Sequence, residues 1–182
     1  MKSTLNTFVN LRKLHISDAE RIALLCNNKK IWDRLRDHVP FPYHESDALL
    51  FIEECSTDNP QMRFGIEHEG VLCGCIGFVP QSDVYRLSVE MGYWLGEPFW
   101  GKGIATNAVK LIVEYGFSVL NLERIFAGVF DGNDASKKVL QKNGFLLEGI
   151  LKNAVIKNGV LIDEYRYGLT KSDYLEYSKT SN

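Results

Sequence analysis

Gly92-Tyr93-Trp94-Leu95-Gly96-Glu97-Pro98-Phe99-Trp100-Gly101-Lys102-Gly103-Ile104-Ala105-Thr106 is the stretch on which the fold turns. Its upstream side belongs to an alternating segment, Ser88 to Leu95. Glu90, Gly92 and Trp94 point one way there, and Val89, Met91, Tyr93 and Leu95 the other, as in a strand. On the downstream side Ile104, Ala108, Leu111, Ile112, Tyr115 and Val119 recur at helical spacing, so a helix from about Lys102 to Val119 is expected to face a sheet. Between the two the chain turns through glycines. Such a strand–turn–helix junction offers unpaired backbone N–H groups and the positive end of a helix dipole to an anion. Glycine at the turn lets a ligand approach the backbone where a Cβ would collide.

Working outward, the preceding segments read as strands. Arg63 to His68 and Val71 to Phe78 flank Glu69-Gly70, a hairpin signal. Within the second, Cys73 and Cys75 alternate with Gly74 and are expected on one face as buried thiols. Further upstream, Phe8 to Leu14 is a loose edge strand. Ser17-Asp18-Ala19-Glu20 reads as a capping box, with Ile22, Leu25 and Cys26 as the apolar stripe behind it. Pro40-Phe41-Pro42-Tyr43 must be a loop, and Ser46-Asp47 restarts a helix. Trp32, Phe41 and Tyr43 are an aromatic cover for the core, with a pocket wall as their other reading.

Downstream of the long helix, Arg124 to Phe130 is a short buried strand. Asp131 or Asn133 caps a helix that stops at Asn143-Gly144, and Leu146 to Lys157 and Val160 to Leu169 surround the hairpin turn Asn158-Gly159. The sum is an α/β (α+β) chain: a mixed, mostly antiparallel sheet with helices on both faces.

The 182 residues suit one domain spanning 1–182, and with 45% hydrophobic residues there is ample material for a core. Lys+Arg 21 against Asp+Glu 23 leaves a net charge of −2 and no basic run, which argues against nucleic acid as partner. Met1 to Asn10 holds no apolar run of signal-peptide length, and no stretch approaches a membrane span, so no membrane association and a cytoplasmic location are expected. Cysteines 26, 55, 73 and 75 have no CxxC spacing, and histidines 15, 38, 44 and 68 are scattered, so no metal site is expected. A monomer or a homodimer would suit such a chain.

Three functional readings of the glycine turn compete. Gly96-x-x-x-x-Gly101-Lys102 fits the first seven positions of a P-loop, but Gly103 stands where a Ser or Thr must hold magnesium. That leaves a nucleotide phosphotransferase as a weak alternative. A dinucleotide fingerprint fails at Thr106, where Gly or Ala is required. The third reading comes from resemblance. Gly101-Lys102-Gly103-Ile104-Ala105-Thr106 resembles the acyl-CoA pyrophosphate loop of the GNAT N-acetyltransferases, Gln/Arg-x-x-Gly-x-Gly/Ala, with Trp100 replacing the leading Gln or Arg. Glu90-Met91-Gly92-Tyr93-Trp94-Leu95, Asn133-x-x-Ser136 and Lys142-Asn143-Gly144-Phe145-x-x-Glu148-Gly149 are similar to further blocks of its RimJ/RimL-like branch, in the same order and spacing.

The resemblance implies a GNAT fold and acetyl transfer from acetyl-CoA to a primary amine, either a small molecule or a protein N-terminus, by direct attack without a metal. No Cys or Ser has an identifiable His partner for a covalent intermediate. Backbone amides of Gly101, Lys102, Gly103, Ile104, Ala105 and Thr106 would hold the pyrophosphate beside Trp100, with Lys102 as a point charge. Trp94 and Leu95 would pair with the pantetheine arm, and Asn133 would both cap its helix and bind that arm. Glu90 is the implied base and Ser136 the implied partner of the leaving thiolate. The Tyr that many relatives place seven residues after the Asn is Leu140 here, and the hairpin glutamate that some carry is Val155. Those two departures keep a second alternative open, a non-catalytic acyl-CoA-binding module. Asp163 and Glu164 receive no role.

Overall fold

The computed structural model describes residues 8–180; residues 1–7, part of the stretch read as lacking a leader, lie outside it. Among the described residues, seven strands form one sheet in the order β1-β2-β3-β4-β5-β7-β6. They are β1 (Val9–Arg12), β2 (Arg63–His68), β3 (Val71–Pro80), β4 (Ser88–Leu95), β5 (Arg124–Phe130), β6 (Leu146–Lys157) and β7 (Val160–Thr170). Every neighbouring pair is antiparallel except β4 and β5. Parallel neighbours need a crossover, and α4 (Ile104–Ser118) supplies it. The remaining helices are α1 (Ala19–Cys26), α2 (Lys29–Trp32), α3 (Glu45–Ser56), α5 (Asp134–Gln141) and α6 (Lys171–Thr180). Among the described residues no helix is long and apolar enough to cross a membrane.

Two cores sandwich the sheet. One packs Ile104, Ala108, Ile112 and Phe117 of α4 against Ile76, Phe78, Val89, Met91 and Ile125, with Leu140 of α5 at its margin. The other packs Ile22 and Cys26 of α1 and Ala48 and Ile52 of α3 against Leu72 and Cys75. The α4 stripe is rotated from the expected one. Val109, Val113 and Gly116 are buried, whereas Val119 is 62% exposed and Leu111 lies at the surface. Gly116 explains the shift: a Cβ there would stand 3.0 Å from both Ile125 and Phe78, so its bare Cα lets the helix settle on that side.

Two further expectations are corrected. The first concerns Cys73 and Cys75, which lie on opposite faces, one in each core. Ile66 pairs with Gly74 but Glu67 with Leu72, so Cys73 is the extra residue of a bulge, and a bulge inverts the alternation. All four thiols are buried, and burial pushes those of Cys26 and Cys55 up to about 12 and about 11. The second is the capping box at Ser17. The chain instead enters a short 3-10 turn, Ile16–Asp18, in which the Asp18 carboxylate accepts the His15 N–H at 2.8 Å. α3 begins the same way, with Asp47 accepting the His44 N–H at 2.8 Å. His-x-Ser-Asp occurs at both starts and is the signal that would have placed them.

Candidate active site

The β4–β5 pairing is short. Ser88, Val89 and Glu90 face Arg124, Ile125 and Phe126, and there it stops. Beyond Glu90, β4 continues to Leu95 against β3, and β5 continues to Phe130 against β7. The two strands therefore part and leave a gap between them in the middle of the sheet. A cavity of about 630 Å³ lies at this gap. The sheet contributes Glu90, Gly128 and Glu164 to its lining, the segment between α2 and α3 contributes Arg36 and Tyr43, and the start of α5 contributes Ser136.

At one end of the gap stands the N-terminus of α4. Gly101 and Gly103 have φ of +73° and +77°, a region glycine adopts freely, and Gly103 is the N-cap with no side chain capping the first turn. A Cβ at either glycine would meet nothing within 4 Å, so the space in front of this turn is open. Amides of the first turn look into it with the helix dipole behind them. The surrounding side chains are otherwise engaged. Ile104 is core, and only its backbone can serve the turn. Trp100 folds back so that its Nε1 donates to the Leu95 carbonyl at 2.6 Å, using one of the two lone pairs of an acceptor expected to serve a bound arm. The Lys102 ammonium lies 5.7 Å above the Phe99 ring. Trp94 packs its side chain on the second core, leaving its backbone at the gap, while Ala105 and Thr106 continue the first turn of α4.

Asn133 caps α5 as expected, its Oδ1 accepting the Ser136 N–H at 3.3 Å. Its Nδ2 makes no bond among the described residues. One turn into the helix, Ser136 Oγ lies 2.8 Å from the Tyr93 hydroxyl of β4. Leu140, where a tyrosine was missing, is fully buried core. A phenol thus does reach this end of the gap, from another strand. Tyr93 shares its face with Met91 and Leu95, the face covered by α4.

Glu90 lies on the opposite face, with Trp94. Its Oε1 is ion-paired to Arg36 Nη2, and its Oε2 has no partner among the described residues. Arg36 is half exposed, and a pair of that kind opens at small cost. A second carboxylate also lines the cavity: Glu164 of β7, whose Oε1 accepts from Arg166 Nη2 and Nε at 2.5 and 3.0 Å. Arg36, Tyr93 and Glu164 are the residues that sequence reasoning left out of the site. Alternation placed Tyr93 on the face opposite Glu90, and nothing local distinguished Arg36. Of the aromatic trio, Tyr43 is buried in the cavity wall, whereas Trp32 and Phe41 pack on each other with ring centroids 5.5 Å apart. Among the described residues no group of three or more His, Cys, Asp or Glu is placed to hold a metal ion.

The chain's similarities agree with this geometry. A family profile described as "Acetyltransferase (GNAT) domain" matches residues 9–146. The putative ribosomal N-acetyltransferase YdaF of Bacillus subtilis (strain 168) is 32% identical over 177 residues, covering 93% of this chain and 94% of its own length. The spermidine N(1)-acetyltransferase of Escherichia coli (strain K12) is 30% identical over 173 residues, covering 94% and 91%. Among solved structures, the Microcin C7 self immunity acetyltransferase MccE in complex with acetyl-CoA and AMP superposes with a TM-score of 0.76 at 32% identity, covering 91% of this chain and 93% of that one. The profile match, the two relatives and the shared fold point one way: the chain belongs to the GNAT acetyltransferase family and is an N-acetyltransferase whose donor is acetyl-CoA.

Proposed function

We propose that the whole chain, 1–182, works as one catalytic domain in the cytoplasm, with the donor on the α4 and α5 face of the gap and the amine on the Glu90 face. The observation that carries this reading is the parting of β4 and β5 beyond Glu90, which puts a carboxylate on one side of the opening and a hydroxyl pair on the other. Acetyl-CoA supplies the acetyl group as a thioester. The amides of residues 101–106 hold the pyrophosphate, and the edge of β4 at Trp94 and Leu95, together with Asn133 Nδ2, holds the arm.

An acceptor amine must first be neutral. An α-amine, with a pKa of about 7.7–8.0, has roughly a tenth of its molecules neutral at pH 7, whereas a lysine-like amine near 10.4 has about one in a few thousand. Glu90 Oε2 takes the proton, directly or through one water. The nitrogen lone pair then forms the N–C bond as the C–S bond breaks, the electron pair leaves with sulfur as thiolate on the side of Ser136, and the second proton of the nitrogen passes to solvent water as the amide forms. Among the relatives, one is named as a putative ribosomal N-acetyltransferase and another as a spermidine N(1)-acetyltransferase. The two carboxylates that line the cavity, Glu90 and Glu164, suit a primary amine without selecting between the two kinds.

The test is an isothermal titration with acetyl-CoA, followed by turnover with an N-terminal peptide and with spermidine. Wild type is expected to bind acetyl-CoA and not Mg-ATP. Gly103→Val, which places a branched side chain in the open space before α4 at a positive φ, is expected to lose that binding. Glu90→Gln is expected to bind normally and turn over about 10²–10⁴-fold more slowly. Normal binding by Gly103→Val would refute the placement of the donor.

A further inference from the structure

Tyr93 belongs by alternation to the core face of β4, yet its hydroxyl reaches the gap and meets Ser136 Oγ at 2.8 Å. No other partner of either hydroxyl is present among the described residues. A serine hydroxyl carries one hydrogen and two acceptor lone pairs, as does a phenol apart from its ring. The pair can therefore be joined in two ways. If Ser136 donates to Tyr93, the serine has no hydrogen left for anything else. If Tyr93 donates to Ser136, the serine hydrogen is free to point into the gap. Burial pushes the Tyr93 phenol up to about 12, against the opposing effect of the Ser136 bond. At neutral pH the phenol therefore keeps its proton.

We propose that Tyr93 is a positioning residue: its hydroxyl donates to Ser136 Oγ and so turns the one serine hydrogen toward the sulfur that departs when the C–S bond breaks. The inference rests on the donor placement above. No proton is transferred along this chain. A phenol titrating near 12 is a weaker acid than a thiol near 8.5, so Tyr93 retains its proton and sulfur receives a hydrogen bond. Two donors in series polarise one another, which makes the serine a better donor than it would be alone. Sulfur is the more exposed to this effect because charge develops on it only as the bond breaks. The bond also ties β4 to α5 across the strands' divergence, so a purely structural role must be separated experimentally.

The bound product offers a readout that needs no acceptor. The thiol of CoA, labelled with carbon-13 at the carbon next to sulfur, is titrated by NMR on the full-length protein for wild type, Tyr93→Phe, Ser136→Ala and the double variant. Affinity for CoA is measured alongside by calorimetry. The thiol is expected to titrate about 0.5–1 pH unit higher in each single variant than in wild type. The double variant is expected to match Ser136→Ala, because Tyr93 acts through the serine. Tyr93→Phe keeps the ring in place and is expected to bind CoA within a few-fold of wild type. Ser136→Thr, which keeps a hydroxyl, is expected to restore the wild-type titration. A titration unmoved by Tyr93→Phe would overturn the proposal, as would an equal shift from Tyr93→Phe in the Ser136→Ala background. Failure of wild type to bind CoA at all would instead overturn the donor placement on which the proposal stands.

Discussion

Asp18 receives three donors. Arg12 Nη1 and Nη2 approach its two oxygens at 2.8 and 2.9 Å, and the His15 amide reaches Oδ2 at 2.8 Å. The guanidinium holds the carboxyl below its ordinary value, although burial works in the other direction. A group whose folded-state pKa is depressed stabilises the fold above its unfolded value, near 3.9, and loses that contribution as pH falls through the folded value. Asp18→Asn is therefore expected to cost about 1–3 kcal/mol at pH 7. Urea unfolding of the variant and of wild type should show the two curves converging at acid pH. At this scale legibility was uneven. Asn133 as cap, the glycines of the turn and the fully buried thiols could be read, because each depends on neighbours a few residues away. The Arg36–Glu90 and Tyr93–Ser136 contacts span 54 and 43 residues, and no local pattern encodes such a meeting.

The β6–β7 hairpin shows the same division between elements. Asn158 and Gly159 have φ of +51° and +77°, the conformation that an Asn-Gly turn favours. What the hairpin does with that turn depends on tertiary contacts. Lys157 is buried, its Nζ donating to Asp37 Oδ1 at 2.6 Å and to the Leu35 carbonyl at 2.9 Å while lying 3.5 Å from the centre of the Trp32 ring. Asn158 Nδ2 reaches Asp33 Oδ1 at 2.9 Å. The hairpin tip thus latches the segment that carries Arg36 over the cavity. Lys157→Met, which keeps the stem against Trp32 and removes the charge, is expected to cost about 1–3 kcal/mol. It should raise the KM for the amine more than that for acetyl-CoA, and steady-state kinetics with each substrate varied would show it. Equal effects on both would mean that the latch does not serve the acceptor side. Strand bounds were legible locally, Ser88–Leu95 from alternation, Arg63–His68 from its hairpin turn and Arg124–Phe130 as a short apolar run. α2, with four residues, and α6, whose Lys171-Ser172-Asp173-Tyr174-Leu175-Glu176-Tyr177 has little apolar contrast, were not, and the bulge at Cys73 broke the alternation that parity reasoning needs.

For the molecule as a whole, the donor in the proposed placement would bridge elements from both halves of the gap, so binding would be linked to folding. At a free acetyl-CoA concentration 100-fold above Kd, the native state gains about 2.7 kcal/mol. For a chain of this size that raises Tm by about 5–10 °C. Thermal unfolding with and without acetyl-CoA is the check, and the gain should vanish in Gly103→Val. The sequence by itself determined the alternating strands, the helix facing the sheet, the glycine turn with its anion-binding promise and the cap at Asn133. Each follows from periodicity, backbone conformation or a side chain satisfying its neighbours' amides, all of which act over a few residues. Only the tertiary structure decided that β4 and β5 part after Glu90, that Glu90 and Ser136 approach the opening from opposite faces, and that Tyr93 and Arg36 attend them. Those outcomes depend on strand order and register, which are fixed by packing two cores against one sheet and cannot be seen from any single segment.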